Sequence, residues 1–559
     1  MGIRNLKKMF SPQSIVVVGA INKEHTIGFV LIRNLIQGGF NGPIMPVSKT
    51  DKAIAGILTY ESIKNLPLLP DLAIICEDSD NVTEYIRQLG EEKIKAVMLI
   101  GTGESSLPDQ DEYIKIAKQY DMRLLGPNSM GAIIPRLNLN ASCLHVPMKH
   151  GKIAFVSQSP SLSSTVLDWT AAHGVGFSHF ITMGQCHSIG LGDIIDYLGS
   201  DPFTRAILIQ MESLTERRNF MSAARAAARN KPLLVLKNNQ IFDYNTLTEH
   251  ENMQNTIDEL VYDAAFRRAG MLRVKTIAEM FAGAETLSAS KPFKGNRVAI
   301  VSNGHGLNML VTDHMDEFKG KIVTLSDETI SRLKTLLKRD EIKLRNPVDM
   351  GLTCSAEKYA DVYEILQKSK EVDVIFFLHS PSYVENTLEC AQKLIEKHKE
   401  RKGNILTCWL GEGSAYGARH LFEENNIATF QTGRMAVMAF SHMIEYLDNQ
   451  KALTQTPMRV PNEIKPARTK VRKIIEKALD DSKKWLTDDE TKEILKAYGI
   501  DVLPSHFVSN ETEAIKVADD IGYPIVLKIV TEDDIRKSDI GGVVLSLLSP
   551  ESIRVAFPL

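Results

Sequence analysis

Cysteine is scarce in this chain, with six in 559 residues. Cys76, Cys143, Cys186, Cys354, Cys390 and Cys408 are scattered and form no CxxC pair, so neither a disulfide framework nor a zinc ribbon is indicated. No apolar run approaches the roughly 18 residues that a membrane span needs. The charged start around Lys7 and Lys8 leads into no signal-peptide apolar region. An excess of one charge is lacking too. The 66 Lys and Arg stand against 69 Asp and Glu, for a formal net charge of −3, and this gives no polybasic footprint for nucleic acid or anionic lipid. These absences predict a soluble cytoplasmic protein in a reducing compartment, with no nucleic-acid or membrane partner. What is present is apolar: 43% hydrophobic residues beside 24% charged ones argue against disorder. The length corresponds to about three to five domains.

The hydrophobic pattern consists of short apolar runs separated by helical-length segments. Ser14–Val18, Pro43–Val47, Asp71–Cys76 and Lys95–Ile100 are apolar on both faces and end in polar or glycine-bearing turns, as strands of a buried parallel sheet do. From Gly28 to Gln37 the apolar residues follow helical spacing and stop at Gly38-Gly39, a helix C-cap signal. Strand, turn, helix, strand is the doubly wound α/β pattern. The pattern restarts: VVVGA at 16–20, IAFVSQS at 153–159 and VAIVSNG at 298–304 begin about 140 residues apart, near the usual domain size. Ala206–Met211 and Pro232–Leu236 extend the second unit; Asp373–Leu378, Ile405–Leu410 and Ile427–Phe430 extend the third. Boundaries are expected at GPNSMG (126–131) with the polar stretch to Gly151, and at KPFKGNR (291–297). Three prolines within 454–470 suggest a linker. Beyond it, Thr487 to Glu490 is a capping-box match opening a helix that ends at Gly499. Strand-like Asp501–Leu503, a helix at Glu511–Ile521 and strand Pro524–Val530 follow. This last unit is small for an α/β domain and reads as incomplete.

Several residues stand where ligands bind in such sheets. The turn from Gly19 and Ala20 to Gly28 can bring backbone N–H groups and a helix N-terminus to phosphate oxygens, or serve only as a tight turn. A nicotinamide enzyme would place Asp or Glu at the end of the second strand; Ser48 and Lys49 stand there instead. That favours a nucleotide with an additional phosphate, and coenzyme A, with its 3′-phosphate, fits. Asn128 in the Gly126-Pro-Asn turn lies on the ligand-binding edge, or in an ordinary crossover. Ser157 and Ser159 can cup an anion at a strand end, with Pro160 as the first helical residue. Ser302 to Gly306 and Asn346 to Asp349 read as interface-shaping turns, and His187 beside Cys186 as incidental.

Several phrases in order then resemble one family: SIVVVGA, RNLIQGGFNGPIMPV (33–47), MRLLGPNSMG (122–131), VSQS with LDW (167–169), GVGFSHFITMG (174–184) and DAAFRRAGMLRV (263–274). The chain is similar to the ADP-forming acyl-CoA synthetases, which are related to succinyl-CoA synthetase. GGFNGP and MRLLGPNS, with LNAS ahead of VPMKHGK, resemble most the synthetase-like body of bacterial Pat-type protein lysine acetyltransferases, which also carry a GNAT domain. The resemblance implies an α/β chain divided into a Rossmann-like CoA-binding domain (1–135), two flavodoxin-like ligase domains (150–290 and 296–446), a linker (447–482) and the start of an ATP-grasp domain (483–559). LKAYGI (495–500), GYPIVLK (522–528) and KSDIGGV (537–543) carry that last likeness and make Lys528 a nucleotide contact. Glu212, in QMESL, matches the family glutamate that holds the phosphohistidine loop.

The departures concern phosphoryl transfer. His250 lies near the family's phosphorylated histidine, but ungapped counting from Lys237 puts Glu251 on that position, and acids flank His250. Lys237-Asn-Asn-Gln240 lacks the family arginine, and Arg536 stands where a second relay histidine is expected. The expectation is therefore a CoA- or acetyl-CoA-binding, Pat-type body without its GNAT domain. The alternative is an active ADP-forming acid–CoA ligase using a phosphohistidine relay, with a CoA thioester as small-molecule partner. ATP or ADP would join it, and Mg²⁺ only if a partner chain or further domain completed the ATP-grasp fold. No metal-ligating residue is assigned, and a homo-oligomer is expected.

Overall fold

The computed structural model describes the chain apart from residues 1–2, 77–80, 102–109, 173–174, 187, 238–248, 290–294, 317–319, 339–343, 383–385, 402, 455–466, 482, 484, 531–539 and 558–559. It divides into two units, Met1–Gln455 and Thr456–Leu559.

In the first unit, β1 (Ile15–Val18), β2 (Ile44–Val47), β3 (Leu72–Ile75), β4 (Ala96–Ile100) and β5 (Arg123–Ser129) form a parallel sheet in the order β2-β1-β3-β4-β5. Alternate side chains of each strand leave by opposite faces. Ile15, Val17, Leu72 and Ile74 enter one core, whereas Val16, Val18, Ala73 and Ile75 enter another. Burial of both faces produces the continuous apolar runs seen in the sequence. The order reverses beside β1, which is the ligand-binding switch point of open parallel sheets.

The second sheet contains β6 (Gly131–Ile134), β7 (Leu139–Ser142), β8 (His150–Ser157), β9 (Phe177–Thr182), β10 (Ala206–Met211), β11 (Leu233–Lys237) and β12 (Leu272–Val274). Its order is β12-β11-β10-β8-β9-β6-β7; β8 to β12 run parallel, and the β6–β7 hairpin is antiparallel. Two readings are corrected here. GPNSMG is not a plain loop: the pairing of β5 resumes at Ser129 after a bulge at 126–128, where Gly126 and Asn128 take positive φ. The stretch after it is not a polar boundary either, because the hairpin buries Ala132, Ile133, Ile134, Leu139 and Ala141 against the second sheet.

The first two sheets share one apolar core. Phe10 of helix α1 (Leu6–Phe10) packs at 5.3 Å on the tilted ring of Tyr197. Helix α2 (Ile27–Gln37) is pinned to the hairpin by Asn34, whose Nδ2 donates to the carbonyls of Ser142 and Leu144, both at 2.9 Å.

The third sheet contains β13 (Arg297–Ser302), β14 (Lys321–Ile322), β15 (Val348–Asp349), β16 (Val374–His379), β17 (Ile405–Trp409) and β18 (Thr429–Phe430). It runs β14-β13-β16-β17-β18, with β15 also pairing to β13, and is parallel throughout. A long helix, Gly433–Thr454, continues into the stretch expected as linker and ties back to the second sheet, Asn449 Nδ2 reaching the Met271 carbonyl at 3.1 Å.

In the second unit, helix Arg468–Asp480 also occupies part of the expected linker. Helix Asp488–Ala497 opens with the Thr487–Glu490 capping box, Thr487 Oγ1 accepting from the Glu490 N–H at 3.2 Å. Helix Glu511–Ile521 and helix Pro550–Ala556 pack on one face of an antiparallel pair, β19 (Ile525–Lys528) and β20 (Val543–Leu547). Asp501–Leu503 is not a strand: no described residue pairs with it, and Leu503 is 86% exposed.

Candidate functional site

At the C-terminal edge of the first sheet, β1 ends at Gly19, whose φ of 81° suits glycine. The chain then crosses Ala20 and enters α2. A Cβ on Gly28 would lie 2.5 Å from Ala20 Cβ, so glycine alone lets the helix start come this close to the turn. On the next strand, the Ser48 hydroxyl accepts from the Asp51 N–H at 3.1 Å and faces Thr50 Oγ1 at 3.4 Å. Lys49 is exposed, with no partner among the described residues. Asp51 carries no motif that marks it in the sequence. Its Oδ2 accepts from the Asn22 N–H and the Ser48 hydroxyl, both at 3.4 Å, and links the two turns. Gly19, Ala20, Gly28, Ser48 and Lys49 thus share one rim.

Asn128 stands at the far edge of that rim, three strand spacings or about 14 Å from β1. It takes the left-handed conformation (φ 57°) beside the segment that follows β9. The Gln185 N–H donates to the Pro127 carbonyl at 2.8 Å, and a Cβ on Gly184 would lie 2.2 Å from that oxygen. Nearby, Arg123 Nη2 meets Asp193 Oδ2 at 2.5 Å, with the Asp193 helix starting at Leu191.

The second sheet presents Ser157, Ser159 and Glu212 on its own C-terminal edge. Ser157 is fully buried; its hydroxyl donates to Gln210 Oε1 at 2.6 Å and accepts from the Ser159 N–H at 3.0 Å. The hydroxyl is spent on shaping the turn, so Ser157 does not present a free anion-binding group. Pro160 opens helix α3 (Pro160–Ala172), as expected. Gln158, which sequence reasoning passed over, accepts at Oε1 from the Glu212 and Ser213 N–H groups at 2.6 and 3.0 Å. Its Nε2 donates to the Ser213 carbonyl at 3.1 Å and to Cys186 Sγ at 3.3 Å. The Glu212 carboxylate itself has no partner among the described residues. Burial pushes the Cys186 thiol up, the Gln158 N–H opposes this, and the Glu212 carboxylate adds to it.

Lys237 closes β11 but is already committed: its Nζ lies 2.8 Å from Glu259 Oε1 and 4.4 Å above the Tyr262 ring. Burial works to raise the Glu259 carboxyl, yet hydrogen bonds from Lys237 and Arg273 hold it below its usual range. His250 falls in the first turn of helix Glu249–Ala269; its side chain lies outside the described residues, as do 238–240, His187 and Arg536. Lys528 ends β19 in the second unit, exposed.

In the third sheet, the loop after β13 leaves open space above Gly304 and Gly306. Asn308, in the first turn of helix His305–Asp316, is 2% exposed with neither amide atom hydrogen-bonded among the described residues. Nothing in the sequence singles out Asn308; only the preceding turn, Ser302 to Gly306, reads there as shaping an interface.

Two adjoining α/β sheets, one parallel and one mixed, thus carry a glycine-lined turn and a clamped acidic turn on the C-terminal rims where such sheets take ligands. Comparison agrees. Residues 13–135 match a CoA binding domain, 150–287 a succinyl-CoA ligase like flavodoxin domain, and 477–558 an ATP-grasp domain. Acetate–CoA ligase [ADP-forming] I of Archaeoglobus fulgidus is 30% identical over 547 residues, covering 97% of this chain and 78% of that protein. The two-subunit acetate–CoA ligase [ADP-forming] I of Pyrococcus furiosus matches through both polypeptides. Its alpha subunit is 28% identical over 79% of this chain and 98% of its own length. Its beta subunit is 48% identical over 88 residues, 16% of this chain and 38% of its own. The apo structure of the dinucleotide-forming acetyl-coenzyme A synthetase 1 of Ca. Korarchaeum cryptofilum superposes with a TM-score of 0.74 at 24% identity, covering 81% of this chain and all of that one. The chain belongs to the ADP-forming acyl-CoA synthetase family. No helix among the described residues is long and apolar enough to cross a membrane.

Proposed function

We propose that this chain is an ADP-forming acid–CoA ligase, exchanging acyl-CoA, phosphate and ADP for free acid, CoA and ATP. The observation that carries the reading is the junction of the two rims. Asn128 of the first sheet packs on the loop that leads through Cys186 to Gln158 and Glu212. Residues 1–135 would hold CoA along the rim from Gly19 and Lys49 to Asn128, with its thioester end arriving at the junction. The Ser159 turn and the unbonded Asn308 amide offer places for phosphate and carboxylate oxygens. Phosphate oxygen attacks the thioester carbonyl, the C–S bond breaks, and CoA leaves as the thiol after taking a solvent proton. His250 takes the phosphoryl group of the acyl phosphate, whose C(O)–O oxygen stays with the acyl group as the free acid. ADP then takes the phosphoryl group from the phosphohistidine to give ATP, with Lys528 as a nucleotide contact. A partner polypeptide is supported by the two-subunit relative, whose alpha and beta chains each match part of this one.

The Pat-type reading, an acetyl-CoA-binding body without catalysis, rests on the GGFNGP, MRLLGPNS and LNAS phrases and on the departures at Gln240, His250 and Arg536. The relatives described above are named as ligases or as a synthetase, which supports turnover instead. The half-reaction separates the two. The ligase reading expects phosphate-dependent release of CoA thiol from acetyl-CoA without nucleotide; saturable acetyl-CoA binding with no thiol release at any phosphate concentration would reverse the choice.

A further inference from the structure

We propose that Gln158 is a positioning residue that locks the coenzyme rim and the Glu212 turn into one rigid register. The inference deepens the ligase reading and rests on it. A glutamine amide has two acceptor lone pairs and two N–H donors, and here all four are used. Oε1 takes the backbone N–H groups of Glu212 and Ser213, while Nε2 gives to the Ser213 carbonyl and Cys186 Sγ. The side chain is 9% exposed, so water cannot easily replace it.

A second glutamine braces the first. The Gln158 N–H donates to the Gln210 carbonyl at 3.2 Å, and Gln210 Oε1 takes the Ser157 hydroxyl and the Ser159 N–H at 2.6 and 3.1 Å. β8 and β10 are thereby cross-clamped at the edge where Glu212 emerges. The Cys186 bond carries the clamp outwards. One residue earlier, Gln185 is bonded to Pro127; two earlier, Gly184 sits where a Cβ would lie 2.4 Å from the Asn128 carbonyl carbon. A run of close contacts therefore leads from Asn128 through Gly184, Gln185 and Cys186 to Gln158. The Glu212 carboxylate has no bonded partner among the described residues, while its backbone N–H is held by Gln158, an arrangement suited to a group that must meet a reacting atom in one place.

Gln158→Leu removes all four bonds; Gln158→Glu keeps the two acceptors. Two readouts separate this inference from the ligase reading. The first is alkylation of Cys186 by iodoacetamide, followed on its own peptide by mass spectrometry, with the thermal midpoint as fold control. The second is phosphate-dependent thiol release, with kcat and the KM for acetyl-CoA determined separately. In Gln158→Leu, Cys186 should alkylate about tenfold faster and kcat fall about tenfold or more with KM within about twofold, while Gln158→Glu recovers most of kcat. Unchanged alkylation in a folded Gln158→Leu protein would overturn the clamp whether or not the wild type turns over. Equal loss in the two variants would overturn its acceptor role. Faster alkylation alongside an inactive wild type would uphold the clamp and reject the ligase reading.

Discussion

Arg123 and Asp193 meet at 2.5 Å across the junction of the first two sheets, with 5% and 3% of their side chains exposed. Asp193 also accepts from the Gly190 N–H at 3.2 Å, capping its own helix, and faces Asn219 Nδ2 at 3.3 Å. Removing one member leaves the other charged and buried. Asp193→Ala should destabilise the first unit by about 3–5 kcal/mol, whereas Arg123→Met with Asp193→Leu should recover most of that. Thermal melts of the single and double variants check this; additive losses would refute it.

Gly28→Ala brings a methyl group to 2.5 Å from Ala20 Cβ, so either the helix or the turn must move. We expect a cost of about 1–3 kcal/mol in stability and a weaker grip on CoA than the melt alone accounts for. The paired measurement is a melt and a CoA titration of the same preparation.

Glu212→Gln keeps the backbone bonds to Gln158 and removes only the carboxylate charge. ATP formation through the histidine carrier should fall about 100-fold, the low end for loss of a positioned ionisable group, while CoA affinity stays within about twofold of wild type. Steady-state kinetics beside calorimetry distinguish this from a folding defect.

His379 gives the fold a pH dependence. Its Nδ1 faces the Tyr359 hydroxyl at 2.7 Å, its Nε2 the Thr387 hydroxyl at 3.2 Å, and its ring stacks on Trp409 at 5.1 Å. Burial lowers its pKa from 6.5 to about 4. The unfolded chain therefore takes the proton first as pH falls. The stability due to the neutral ring is complete above pH 6.5 and is lost towards pH 4, at up to about 1.4 kcal/mol per pH unit. His179, lowered to about 4 chiefly by burial, works in the same window. His379→Gln should flatten, not abolish, the fall in melting midpoint between pH 6.5 and 4; an unchanged slope would contradict this.

The central parallel strands, Ile15–Val18, Leu72–Ile75, Ala96–Ile100, Ala206–Met211 and Val374–His379 among them, are legible in the sequence because both faces are buried, which writes an apolar run; the short or less apolar strands Leu272–Val274, Lys321–Ile322 and Val348–Asp349 are not. Gly19 and Gly28 are legible for a related reason, since a turn pressed against a helix tolerates no larger residue. The β6–β7 hairpin is not. Its burial comes from antiparallel pairing of Ala132 with Ile181 and Ile133 with Phe180, partners far along the chain, while Pro135-Arg-Leu-Asn at its tip reads as loop. Gln158 is hidden in the same way, because Glu212 lies 54 residues away. The one local signal was a long amide set between two serines at a strand end. Asp51 was within reach: an acid three residues past Ser48 closes the turn that the absence of an acid at Ser48 seemed to leave open.

The account turns on CoA being held at the rim of the first sheet, and calorimetric titration of the purified chain with CoA tests this most directly. Saturable one-site binding is predicted, weakened about fivefold or more in the Ser48→Ala/Lys49→Ala variant through loss of a charge-assisted phosphate contact. No heat and no thermal shift at millimolar CoA would contradict it.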